Sequence, residues 1–471
     1  MTTLGLPSPS VASRLGSRYY VELVLYGVCC LLAGFLGLAA SALLMQKAAE
    51  SLASGGFGFV QPLVLALLVM AFGLRFSAFL AMGFISHARD ARRQPFTPQQ
   101  WPLVSILVPA YNEEETIEAA LASLLQLDYP NYEIVFVDDG SSDRTLSLAR
   151  AFDNRGEGVD VHVHGKANAG KWSALNLAFR LAKGDFVLCI DADSRLDPDS
   201  LEHLVRAMLR GENIGAVAGQ IRVRNRGSVL TRLQALEYLN CNGTLRAAQT
   251  LTGDVLVVPG PLGLFRRSAL QAVWERLGGG RDFDESQGQY AGPYEDNTFA
   301  EDFDLSIGLR SLGYLITYEP RALSHTEAPV TVLRLLNQRY RWQRGSIQVL
   351  RKLRQRAPSN PSPLGARFVA WVFATYVLDL IMVPLWLLFG LPFVAVTIAE
   401  GGAVGQRLFE FFITCQGINL LLALCYASTH GDSKRVAMIL PLKDLYQTFV
   451  LQGILAFVVF DEIRGAPMRW S

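Results

Sequence analysis

Apolar positions run along this chain in two regimes. Toward both ends they are continuous, and the stretches 21–45, 57–85, 368–398, 408–428 and 437–460 are each long enough to cross a bilayer as a helix, which takes about 20 residues for a core of about 30 Å. Between the second and third stretches the pattern changes to short apolar runs alternating with amphipathic ones. It predicts strands at 104–108, 133–137, 159–163, 186–190 and 216–218 running into 221–223, and helices at 114–125, 145–152, 171–182 and 198–209. Alternation of this kind makes an α/β domain with a mostly parallel sheet flanked by helices. Its chemistry belongs in the loops at the carboxyl ends of the strands.

The flanks of the apolar stretches set the expected topology. The first follows Arg14, Arg18, Tyr19 and Tyr20 without a small-residue cleavage site, which reads as an uncleaved span. The last carries Lys443 and Asp444 near its start. Arg89, Arg92 and Arg93 precede the globular block, and Arg351, Lys352, Arg354 and Arg356 follow it. The positive-inside rule therefore puts the block on the cytoplasmic side of an inner or plasma membrane, with about five spans in all. The expected division is a tail at 1–20, two spans at 21–85, the globular domain at 86–330, an amphipathic interface segment at 331–367, three spans at 368–460 and a tail at 461–471. A hydrophobic fraction of 51% agrees with a lipid-bilayer partner, and a net charge of +1 gives no basic surplus for nucleic acid. Six cysteines without paired spacing suggest neither a disulfide framework nor a zinc site.

The predicted strand ends are rich in polar chemistry. Tyr111, Asn112 and Glu113 follow the first strand, Asp138, Asp139 and Gly140 the second, and Asp191, Ala192 and Asp193 the fourth. An Asp-x-Asp pair closing an apolar strand is a hard-oxygen site suited to Mg²⁺ or Mn²⁺ on a diphosphate. One acidic loop alone is as well explained by a helix cap; three at consecutive strand ends are not. Gly165, Lys166, Asn168, Gly170 and Lys171 form a cationic, glycine-rich segment ahead of a helix, suited to phosphate oxygens. Glu301 and Asp302 open another amphipathic run. Gln338, Arg341 and Trp342 lie at i, i+3 and i+4 on a basic amphipathic segment, so a helix puts them on one face.

Taken in order, Pro-Ala-Tyr-Asn-Glu, Asp-Asp-Gly-Ser, Gly-Lys, Asp-Ala-Asp, Gly-Pro-Leu-Gly-Leu-Phe-Arg-Arg, Ala-Glu-Asp and Gln-Arg-Tyr-Arg-Trp resemble the membrane-embedded processive family 2 glycosyltransferases. These are the poly-N-acetylglucosamine, chitin, hyaluronan and cellulose synthases. The resemblance implies a GT-A type domain inserted between transmembrane helices. It also implies roles by position. Tyr111 and Glu113 are similar to the uracil contacts, Asp138 and Asp139 to the nucleoside loop, and Lys171 and Asp191 to residues at the nucleotide and diphosphate. Asp193 is similar to the metal ligand and Asp302 to the general base. Gln338, Arg341 and Trp342 are similar to the element that binds pyrophosphate and stacks on the acceptor sugar, and Glu301 is expected to bind the acceptor as well.

The implied reaction is inverting, metal-dependent transfer from a UDP-sugar to a growing glycan that leaves through the protein's own spans. UDP-N-acetylglucosamine is the first donor expected and UDP-glucose the next. A transferase adding one sugar to a lipid is the alternative. The chain departs from cellulose synthases in lacking their Phe-x-Val-Thr-x-Lys gating loop. Between the Phe-Arg-Arg and Glu-Asp motifs the stretch 278–297, rich in Gly, Asp and Glu, is longer than expected for a poly-N-acetylglucosamine synthase and reads as a mobile loop over the donor site.

Overall fold

The computed structural model describes residues 16–53, 59–92, 98–153, 158–277, 283–356, 365–400, 402–429 and 439–466. The chain divides into two compact units, one of Met1–Arg92 with Pro384–Pro441 and one of Arg93–Val383 with Leu442–Ser471. In the first, helices α1 (Gly16–Ala53) and α2 (Val60–Ala91) pack along each other. Their backbones close up at Gly37 and Gly73, where a Cβ on either would stand 3.3 Å from the other's Cα. Small residues allow this approach between apolar helices.

Among the described residues, Val60–Asp90, Gly365–Gly390 and Tyr446–Ile463 are long and apolar enough to cross a membrane. The predicted stretches 21–45 and 408–428 lie within α1 and the helix Gly402–Thr429.

The second unit is built on an eight-stranded mixed sheet. Its strands are β1 (Val104–Ala110), β2 (Tyr132–Asp138), β3 (Asp160–Gly165), β4 (Phe186–Cys189), β5 (Arg195–Leu196), β6 (Ile214–Val223), β7 (Gly263–Arg266) and β8 (Leu315–Thr326), in the order β3-β2-β1-β4-β7-β6-β8-β5. Strands β1 to β4 run parallel; β7 is antiparallel to both β4 and β6. Every residue of β1 and β2 is buried, because helices cover both faces of the sheet. Ile106, Ile134 and Phe136 enter one core with α3 (Ile117–Leu124) and α6 (Ser200–Met208). Their sequence neighbours Leu107, Val135 and Val137 point the other way, into a second core with α5 (Lys171–Leu181) and α9 (Glu301–Ser311).

The predicted break between 216–218 and 221–223 is a register shift at Gly219 and Gln220 inside the single strand β6. The strand thus stays continuous beside β8.

Candidate active site

Because β1 to β4 are neighbours and parallel, the loops after them meet along one edge of the sheet. After β1, Asn112 takes the left-handed φ of 55°, which its short polar side chain tolerates. Its N–H donates to Ser141 Oγ at 2.9 Å, and its Oδ1 accepts from the Ser142 N–H at 2.9 Å. The loop bearing Tyr111 and Glu113 is so latched to the loop after β2. Tyr111 remains half exposed. Burial, with the charges of Asp193, Asp191 and Asp143, pushes the Glu113 carboxyl up to about 7 against the pull of its 2.8 Å hydrogen bond from Thr116.

The two aspartates after β2 do different work. Asp138 is buried and accepts from the Ser141 N–H at 3.0 Å through Oδ2, while its Oδ1 is buried without a hydrogen-bond partner. An acceptor left open in this way suits a donor group on a ligand, since an unpaired buried oxygen costs free energy. Asp139 is equally buried, but its carboxylate is already taken by Lys166, the Ala169 N–H at 3.1 Å and the Gly170 N–H at 2.8 Å. It shapes the segment that delivers Lys171. Gly140 lies against the same segment at φ 73°, where a Cβ would come 2.7 Å from the Asn168 nitrogen.

Lys171 opens α5 and reaches two carboxylates, Asp191 Oδ1 at 2.6 Å and Glu301 Oε1 at 3.4 Å. Burial works against its charge, yet Asp191 and Glu301 outweigh it and hold the ammonium above its ordinary range. Asp193 accepts from Ser194 at 3.1 Å and Thr326 at 3.3 Å, and burial together with the Asp191 charge pushes it up to about 6. Asp302 stands in the first turn of α9. Burial and the Glu301 charge push it up to about 7, while Lys171 and the Phe303 N–H at 2.7 Å oppose. A cavity of about 20 Å³ is bounded by Lys171, Asp191, Glu301 and Asp302, with Cys189 and Tyr294 beneath.

Gln338, Arg341 and Trp342 lie on α10 (Val332–Arg356). Trp342 is 43% exposed, and Arg341 is exposed with no ion-pair partner among the described residues. Arg339, which the sequence reading passed over, is buried beneath this motif. Its guanidinium lies 4.2 Å from the Trp342 ring centroid, donates to Gln338 Oε1 at 3.0 Å and pairs with Glu237 at 2.9 Å. The signal was its place four residues after the fully buried Leu335, on the inner stripe of the helix.

The family described as "Glycosyl transferase family 2" matches residues 105–274. These residues form a family 2 glycosyltransferase domain. The match begins at β1 and takes in Tyr111 through Asp193; Asp302 and the Gln338–Trp342 motif lie beyond it. The chain is 34% identical over 254 residues to a poly-beta-1,6-N-acetyl-D-glucosamine synthase of Staphylococcus epidermidis, covering 54% of this chain and 56% of that protein. It is also 34% identical over 247 residues to the synthase of that name from Staphylococcus aureus strain COL, covering 52% and 55%. The chain thus spans about half the length of these relatives.

For the glycosyltransferase fold, a solved mannosyltransferase from Pyrobaculum calidifontis, in complex with GDP-Man and Mn²⁺, superposes with a TM-score of 0.53 at 23% identity. The superposition covers 81% of this chain and 99% of that one. The fold is thus the GT-A type expected, with a mixed sheet.

Among the described residues, no three His, Cys, Asp or Glu side chains cluster so as to hold a metal ion unaided. Asp191 and Asp193 offer two carboxylates. That fits a Mg²⁺ or Mn²⁺ whose other ligands are diphosphate oxygens and water, a usual pattern for a cation that binds with its substrate.

Proposed function

We propose that the protein is an inverting, metal-dependent, processive β-glycosyltransferase that polymerises a UDP-sugar into an extracellular polysaccharide. The observation that carries this reading is Lys171, one ammonium within 2.6 Å of Asp191 and 3.4 Å of Glu301. It joins the strand end suited to a diphosphate to the helix start that bears Asp302.

In this reading Asp138 meets the nucleoside base with its open Oδ1, beside Tyr111 and Glu113. Asp193, with Asp191, would hold the divalent cation, which when bound neutralises charge on the diphosphate. Lys171 and Arg341 would add positive charge toward the diphosphate. Asp302, raised toward neutrality by burial and Glu301, takes the proton of the acceptor hydroxyl. The acceptor oxygen bonds to the anomeric carbon as the bond to UDP breaks and its electron pair leaves on the diphosphate. One displacement inverts the anomeric centre. Trp342 offers its exposed indole as a platform for the terminal sugar of the acceptor, with Gln338 beside it.

The donor we favour is UDP-N-acetylglucosamine, supported by the two synthases to which half the chain is similar. The catalytic unit would face the cytoplasm and pass its product outward through the membrane helices. Incubating the purified full chain with a panel of UDP-sugars and Mg²⁺ or Mn²⁺, and scoring UDP release and product size, tests this. Polymer from UDP-N-acetylglucosamine is expected. A single glycolipid product would favour one-step transfer to lipid, and no UDP release from any donor would overturn the reading.

A further inference from the structure

The stretch expected to be a mobile loop is, over its described part from 283 onward, packed into the second unit. Two buried side chains of α5 hold it. Asn176 donates to the carbonyls of Tyr290 and Tyr294, both at 2.9 Å, and its Oδ1 accepts from the Tyr294 N–H at 3.0 Å. Ser173 Oγ donates to the Gly288 carbonyl at 2.6 Å and accepts from the Tyr290 N–H at 3.0 Å. Both side chains have zero exposure.

The far side of the segment reaches the other catalytic elements. The Tyr294 hydroxyl lies 2.8 Å from Cys189 Sγ, at the end of β4 two residues before Asp191. Lys352 of α10 bridges Glu295 at 3.2 Å and Asp304 of α9 at 2.8 Å. The Phe299 N–H donates to Gln348 of α10 at 3.2 Å.

We infer that residues 283–299 are a brace that fixes the start of α5 against the start of α9, and that Asn176 is the positioning residue through which it sets Lys171 relative to Asp302. The inference rests on the reading of those two residues given above. Asn176 is not among the residues that line the cavity, and its hydrogen bonds go to the backbone of Tyr290 and Tyr294. Its three hydrogen bonds, with the two of Ser173, form the buried polar link between the helix carrying the lysine and the segment leading into the helix carrying the aspartate, and they include both bonds to Tyr294. Moving α5 by a fraction of an ångström would disturb the alignment of leaving group and base, to which transfer rates are steep.

The test uses two variants that strike one contact from opposite sides. Asn176→Leu keeps approximate volume and removes the hydrogen bonds. Gly292→Ala leaves α5 unaltered, but its Cβ would fall 2.4 Å from Asn176 Oδ1, forcing the segment outward. With the full chain and UDP-N-acetylglucosamine, each should lower kcat at least tenfold while the donor KM stays within about twofold of wild type. Hydrogen exchange, which needs no activity, should lose protection at 171–178 and again at 300–306 in both variants.

If both keep wild-type kcat, or exchange rises only within 283–299, the brace is overturned. Should one variant fail to fold, the other decides. A wild-type protein inactive with every UDP-sugar would overturn the functional reading, and the exchange pattern would still decide for or against the brace.

Discussion

The Arg339 guanidinium stacks 4.2 Å from the centroid of Trp342 and is held from behind by Glu237 at 2.9 Å. Tyr446 donates to the same Glu237 oxygen at 2.7 Å, so Arg339 backs the indole and the carboxylate that holds Arg339 is itself held. A planar guanidinium stacks in this way and an ammonium does not. Arg339→Lys should keep the charge opposite Glu237 and lose the flat contact with the indole. Measured by product length, elongation should shorten while hydrolysis of the UDP-sugar by water is unchanged. Unaltered product length would show that the stack does not support the acceptor platform.

Asp302 gives a pH dependence with a definite sign. A base must be ionised, so kcat should rise with pH up to about 7, where burial and Glu301 have placed this carboxyl, and level off above. The same raised value means that the folded state binds the proton more tightly than the unfolded one, whose value is near 3.8. Stability from this group is therefore complete below about pH 4 and is lost as pH rises through about 7. Asp302→Asn should lower transfer by about 10² to 10⁴, keep UDP affinity near wild type, and melt higher than wild type at pH 8. A variant that no longer binds UDP would make Asp302 part of the donor site.

For the cation, Asp193→Asn should remove most activity in a protein that still folds, and EDTA should do the same to wild type until Mg²⁺ or Mn²⁺ is restored. Asp193 sits against Asp191 with both carboxyls half-buried, an arrangement that a divalent cation relieves. Full turnover after thorough chelation would remove the cation from the account.

What the sequence made legible follows from where each residue's partners lie. Strands β1 and β2 are buried on both faces, so they appear as nearly continuous apolar runs, interrupted only by the mutually bonded Ser105 and Glu133, with their polar ends marked by Tyr111, Glu113 and Asp138. Strand β7 has only four residues, and β8 carries Pro320, Glu319 and Arg321 within twelve, so neither has a clear period. The Asp-Asp pair after β2 looks like one feature in the chain. Only the fold separates Asp138, with an oxygen left open, from Asp139, which spends its oxygens on the 166–170 segment. Arg339 is hidden among basic neighbours on an amphipathic helix. Asn176 and Tyr294 meet across 118 positions, a contact that no local pattern carries.

The most direct measurement is the size distribution of product made from labelled UDP-N-acetylglucosamine by wild type and by Trp342→Ala. Losing the indole should cost about 1 to 3 kcal/mol of acceptor binding, the range for burial of a large side chain. Donor contacts through Asp138 and Lys171 would remain. High polymer is expected from wild type and short products from the variant, with UDP release through hydrolysis preserved. High polymer from a correctly folded Trp342→Ala protein, or a single-sugar product from wild type, would contradict the proposed function.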